Sequence, residues 1–128
     1  MKASDICVGD WFKAVDYNSP FRITAIYDDV VQTQANYQSE IDGNWYSEAY
    51  IKDLVPIELT EDILVKNGFK KESQTIDGDY CKYTLPGFAL NWCDTDGFWY
   101  QNGDITPNHV HTLQHLLLLC GIEKKIEL

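Results

Sequence analysis

Residues 106–121, TPNHVHTLQHLLLLCG, constrain this chain more than any other stretch, because they spell a helix with a start, an apolar face and a stop. Thr106 can cap the start with its hydroxyl, and Pro107 suits the first helical position, where its missing N–H has no intrahelical partner to lose. Gly121 can take the left-handed conformation that ends a helix cheaply. Between them Val110, Leu113, Leu117 and Cys120 recur at three- and four-residue spacing beside Leu116, making one broad apolar stripe. Such a stripe must be covered, and a sheet is the expected cover. Leu118 and Leu119 lie at or beyond its edge, which points to cover by the other half of the chain or to a homodimer contact.

Turn dipeptides set the rest of the architecture. From residue 59 onward a short helix is expected first, with Thr60 as its cap, Glu61 and Asp62 at the positive end of its dipole, Ile63, Leu64 and Phe69 as its apolar side, and Gly68 as its stop. Strands follow at about 70–76, 80–85, 88–93 and 98–101, joined by Asp77-Gly78, Pro86-Gly87, the DTDG run 94–97 and Asn102-Gly103. Turns of that kind predict an antiparallel meander. Phe88, Leu90 and Trp92 share one face, which the 106–120 helix should cover. The tail IEKKIEL is expected as a final edge strand.

Residues 1–58 read as all-β. Residues 10–16 are a mixed apolar segment, Tyr17-Asn18-Ser19-Pro20 a turn, and residues 21–27 (FRITAIY) a strand alternating Phe21, Ile23 and Ala25 against Arg22, Thr24 and Ile26. Asp28-Asp29 makes a tight turn before a strand at 30–33. Residues 34–42 carry no clear pattern. Asp42-Gly43-Asn44 signals a hairpin ahead of Trp45, Tyr46 and Tyr50, and Pro56 puts the segment 52–59 at an edge or a bend. The "VGDWF" opening, the "FRITAI" strand and the "YIKDLVPI" close resemble an SH3-like barrel over less than half the chain. The expected fold is α+β: a small SH3-like antiparallel β-barrel over 1–58, then a helix–four-stranded meander–helix unit over 59–128, packed together because no flexible linker separates them.

Composition narrows the function. The chain has 128 residues and a net charge of −10, with one arginine, Arg22. Residues 1–59 hold ten acids against four bases and residues 60–128 ten against six. Direct nucleic-acid binding is not expected, since phosphate affinity rests on Lys and Arg. The longest apolar run, residues 116–120, falls far short of the roughly 20 residues of a membrane helix. The first residues, MKASDICVGDWF, lack the apolar core of a secretory signal, so a cytoplasmic protein is expected. Cys7, Cys81, Cys93 and Cys120 form no close pair, so free, mostly buried thiols are expected and not a zinc site.

No catalytic or cofactor motif emerges. His111 and His115 stand one helical turn apart, where two imidazoles can share a metal. Thr112 occupies the place where a zinc metalloprotease needs Glu, no third ligand follows from spacing, and both histidines fall opposite the apolar stripe; a solvated face is expected, with no metal. Asp94, Asp96 and Asp104 miss the calcium-loop pattern, with Gly97 fourth and Ile105 twelfth. The adjacent acids Asp28/Asp29, Glu61/Asp62 and Asp77/Asp79 do not face each other across a cleft as a glycosidase requires. Ser4, Ser19, Ser39, Ser47 and Ser73 lack a nucleophile elbow, and no phosphate-binding glycine loop is present. No cofactor is expected. Aromatics crowd the first half, at Trp11, Phe12, Tyr17, Trp45, Tyr46 and Tyr50. Tyr17, Trp45 and Tyr46 lie beside predicted loops and are the candidate partner-binding residues of a barrel groove.

Two further segments, "LVPIELTEDILVKNGFKK" and "VHTLQHLLLLCGIEKKIEL", resemble a family of small uncharacterised proteins of gut anaerobes and their phages or mobile elements. The shared pattern falls on Pro56, Ile57, Leu59, Thr60, Leu64 (one place early), Gly68 and Phe69, then on His111, Leu113, Gln114 and Leu116, across about a third of the chain. That family carries no assigned activity, so the resemblance implies genomic context, with His111 and Gln114 in structural roles. The function expected first is a non-enzymatic interaction module with an unknown protein partner. The alternatives are an acidic DNA mimic that occupies a DNA-binding protein and a hydrolase with dispersed catalytic residues.

Overall fold

Short β-branched and aromatic segments divided by polar turns bury one face each, and antiparallel sheets are what they build. The computed structural model describes residues 1–73, 80–101 and 105–128. Among these residues the fold is mixed α+β, with two antiparallel sheets and two α-helices. Contacts divide the chain into two compact units, Met1–Ile57 and Glu58–Leu128. Among the described residues no helix is long and apolar enough to cross a membrane. All four cysteines are free thiols; Cys81 alone is buried, Cys93 and Cys120 are half-buried and Cys7 is exposed, so the expectation of mostly buried thiols does not hold.

The first unit holds β1 (Trp11–Ala14), β2 (Tyr17–Tyr27), β3 (Val30–Gln38), β4 (Trp45–Tyr50) and β5 (Leu54–Pro56), with a 3-10 turn at Ile51–Asp53 before β5. The sheet order is β4-β3-β2-β1-β5. Its core gathers Ile6, Phe12, Ala14, Phe21, Ile23, Val31, Ala49, Ile51 and Leu54. Three details differ from the sequence pattern. The expected turn at 17–20 is strand: the chain reverses at Val15 and Asp16, with Ala14 opposite Tyr17, and Asn18, Ser19 and Pro20 bulge against Lys13, where a proline costs no ladder bond. A second bulge, between Ile23 and Ala25, shifts the alternation so that Ile26 packs on the core in place of Ala25. The unpatterned residues after 33 extend β3 to Gln38, because the chain bulges between Gln32 and Tyr37 and brings Tyr37 opposite Tyr46.

The second unit opens with α1 (Glu61–Lys66), capped by the Thr60 hydroxyl, which accepts from the Ile63 N–H at 3.3 Å. Then come β6 (Lys70–Ser73), β7 (Tyr80–Leu85), β8 (Phe88–Cys93) and β9 (Gly97–Trp99), paired in sequence order. The Pro86-Gly87 turn is present, with Gly87 at φ 77°. The Asp77-Gly78 and Asn102-Gly103 turns, the end of the 70–76 strand, and Asp79 and Asp104 lie outside the described residues. Cys81, Tyr83, Phe88, Leu90 and Phe98 are buried, and so are Leu64 and Phe69. Phe69 meets Phe88 edge-on at 6.2 Å.

α2 (Val110–Leu119) starts three residues later than its sequence signal. Asn108 is drawn into other bonds: its carbonyl accepts from the Leu59 N–H at 2.9 Å and its side chain accepts from the Phe98 N–H at 3.0 Å. Glu58 and His109 form an antiparallel bridge. A helix begun at Pro107 would forfeit all three. Val110, Leu113, Leu116 and Leu117 form the buried stripe, Gly121 closes the helix at φ 71°, and Leu118 and Leu119 are 73% and 81% exposed. The tail makes no strand ladder. Instead the Asn67 side-chain amide pairs with the Glu127 backbone, donating to its carbonyl at 2.8 Å and accepting from its N–H at 2.7 Å, and Ile126 is buried.

Candidate functional site

In the first unit, strand register gathers three tyrosines. The two-residue turn delivers Tyr17 to the start of β2, and the β3–β4 hairpin sets Tyr37 opposite Tyr46. Tyr37 is 4% exposed; its ring centre lies 4.9 Å from Tyr17, 5.6 Å from Phe21 and 6.0 Å from Tyr46. Its hydroxyl donates to the Glu48 carbonyl at 3.3 Å. Burial, then the charges of Asp16, the Tyr46 hydroxyl, Asp53 and Asp42, push its pKa from 10 up to about 12. The aromatic cluster therefore sits in a negative field.

The hairpin loop, residues 39–44, holds that arrangement. Ser39 donates its N–H to the Asn44 carbonyl at 2.9 Å, and its hydroxyl accepts from the Ile41 N–H at 3.2 Å. Asp42 accepts from the Asn44 N–H at 2.8 Å and from the Tyr46 hydroxyl at 2.5 Å. Those two bonds, the tyrosine first, hold the Asp42 carboxyl below its usual range, and the same bond raises the Tyr46 hydroxyl. The Glu40 N–H donates to the Asp16 carbonyl at 2.7 Å, tying the loop to the β1–β2 turn. Asp16 and Asp42 are thereby carried to the two turns that flank the tyrosines.

Of the three residues singled out from sequence, Tyr17 and Tyr46 come together through Tyr37. Trp45 is 66% exposed and, next to Tyr46 along a strand, points to the opposite face. Tyr37 was the residue missed. It sits in the stretch without pattern, and the one signal for it is the Asp-Gly-Asn hairpin, whose register can pair an aromatic before it with one after it.

In the second unit, Leu59, Thr60, Glu61, Lys71, Cys81, Tyr83, Trp92 and Phe98 line a half-open cleft of about 340 Å³. One oxygen of Glu61 takes both the Lys71 ammonium at 2.6 Å and the Tyr83 hydroxyl at 3.2 Å. Lys71 holds Glu61 below the usual carboxylate range and is itself raised by Glu61; burial, then Glu61, raises Tyr83. Glu61 is thus kept ionised, the opposite of a general acid. The two helix histidines are half-buried and not fully solvated, His111 meeting His115 edge-on at 5.7 Å and stacking on His109 at 5.9 Å.

No protein-family model, curated protein or solved structure matches this chain.

Proposed function

We propose that the Met1–Ile57 unit is an SH3-like barrel that binds an extended, basic segment of a protein partner across the Tyr17–Tyr37–Tyr46 surface. The observation that carries this is the buried Tyr37 ring with two partly open tyrosines against it and Asp16, Asp42 and Asp53 close enough to raise its hydroxyl. Tyrosine faces attract a Lys or Arg side chain, and carboxylates at the rim steer it in. An extended segment fits best, because it loses little conformational freedom when it docks on such rings. Support for the barrel comes from the strand order β4-β3-β2-β1-β5 and the 3-10 turn ahead of β5. The phage or mobile-element resemblance supports a cytoplasmic module that engages a host protein.

The test is a nitrogen-15 NMR titration of the whole chain with short proline-rich peptides carrying Arg and Lys, beside the same peptides with the bases replaced by Gln. Shifts confined to residues around Tyr17, Tyr37, Asp42 and Tyr46, weakened by Tyr46→Ala and lost with the neutral peptides, are the expected result. No shifts at millimolar peptide, or shifts indifferent to Tyr46→Ala, would overturn the reading. A DNA-binding protein captured from nuclease-treated lysate, released by salt and indifferent to Tyr46→Ala, would replace it with acidic mimicry.

A further inference from the structure

The inner face of the second sheet is filled at one end and open at the other. Phe88 and Leu90 are buried, whereas Trp92, next on the same face of β8, is half-buried. Strand register composes the open end. Cys81, Trp92 and Phe98 stand opposite one another across three strands, and Lys71 stands opposite Tyr83, two residues further along β7. Leu59, Thr60 and Glu61 line the same half-open cleft of about 340 Å³ from the start of α1. A carboxylate and an ammonium thus share the lining of a cavity whose remaining walls are largely aromatic and aliphatic. From this juxtaposition we infer that the cleft binds a free α-amino acid with an aromatic or large aliphatic side chain.

Charge complementarity selects that class. The Lys71 Nζ lies 2.6 Å from the Glu61 Oε1, close to the distance between ammonium and carboxylate within an α-amino acid. The ligand can therefore set each of its charges against the opposite one. Neither partner is exhausted by the other. The Tyr83 hydroxyl also falls on Oε1, so Oε2 keeps its acceptor capacity, and the Lys71 ammonium retains two N–H groups. The two side chains are 43% and 44% exposed, so a ligand can reach both. Thr60, whose oxygen accepts from the Ile63 N–H, still has a hydroxyl proton to give a ligand carboxylate. A ligand of one charge sign would instead bring a like charge against Lys71 or Glu61. Leu59, Trp92 and Phe98 offer the apolar surface that a ring or branched chain buries. The volume stands near the lower limit of ligand sites, roughly 300–1,000 Å³, and admits one small molecule and not a peptide.

The test titrates the nitrogen-15-labelled full chain with L-phenylalanine, L-tryptophan and L-leucine, following the Trp92 indole N–H and the amides of Leu59, Thr60 and Glu61. Saturable binding with a Kd on the order of 100 μM is expected for at least one of them. Phenethylamine and 3-phenylpropionate each keep the ring and lose one charge. Each should bind at least about tenfold more weakly than L-phenylalanine, and glycine, which keeps both charges without the ring, should not saturate. Lys71→Gln should abolish the preference for L-phenylalanine over phenethylamine, and Glu61→Gln the preference over 3-phenylpropionate. Each substitution removes no more than a partly exposed ion pair, so both variants should stay folded, which a thermal scan checks. Absence of saturable binding by any of the three amino acids up to their solubility would overturn the site. So would phenethylamine or 3-phenylpropionate binding as tightly as L-phenylalanine, which would reduce the cleft to an apolar slot with one charge at its rim. Native-strength binding by both variants would place the amino acid elsewhere and overturn the assignment.

Discussion

At Tyr37 a hydroxyl held out of water by flanking rings donates to the Glu48 carbonyl, and its proton has become unusually hard to remove. A folded-state pKa of about 12 against an ordinary 10 means the fold favours the protonated ring. The stability this represents is fully present below pH 10 and disappears as the pH climbs to about 12. Tyr37→Phe should therefore cost about 1 kcal/mol at neutral pH through the lost bond. That deficit should shrink between pH 10 and 12, because phenylalanine has no proton to lose. Urea midpoints of both proteins across that range test it; a constant deficit would show that burial does not resist ionisation. Asn67 is a second single residue on which an element depends. Its amide holds both backbone groups of Glu127 and donates to the Ile63 carbonyl at 2.8 Å. Asn67→Ala removes both side-chain bonds to the Glu127 backbone, at a cost of about 2 kcal/mol, and hydrogen exchange at the Glu127 amide should speed up with it.

At the scale of elements, the parts legible in the sequence are those whose signal is local. Thr60 caps α1 and Gly68 ends it at φ 89°, as their positions require, and β7 and β8 meet at the Pro86-Gly87 turn that predicts them. What sequence conceals is decided by distant partners. Helix propensity at Pro107 loses to three long-range links through Asn108, His109, Leu59 and Phe98, none visible in a local window. Tyr37 is hidden for the same reason, since a bulge sets its pairing and not its own neighbours. The candidate surface was half legible: Tyr17 and Tyr46 were, while the ring that unites them was not. Gly97 tests how firmly this strap is fixed. It sits at φ 72°, and a Cβ there would meet the Asn108 side-chain oxygen at 2.7 Å, the same oxygen that receives the Phe98 N–H. Gly97→Ala should cost roughly 2 kcal/mol from the left-handed backbone and the displaced acceptor together. An unchanged thermal midpoint would mean the lead-in to α2 yields without loss.

Charge belongs to the whole molecule, and here one excess acts in two directions. The chain carries −10 overall, and its first unit holds nine acids against four bases. Like charges in a folded chain repel over distances that salt shortens, to about 8 Å at physiological ionic strength. Moving from 10 mM to 150 mM sodium chloride, roughly, should therefore raise the thermal midpoint, by something of the order of 1 kcal/mol or about 4 °C, with little further gain once the screening length falls below the spacing of the acids. Association with a basic segment must respond with the opposite sign, because the same carboxylates then attract, and screening slows the encounter. Asp42 and Asp16 sit at the turns beside the tyrosines, so neutralising both with Asn should flatten the salt dependence of binding while removing only two of twenty acids from the stability term. Thermal scans and peptide titrations of the native and doubly substituted chains across that salt range separate the two effects. If salt strengthened both, the acidic excess would not be what a partner reads, and the aromatic rings would have to carry recognition alone.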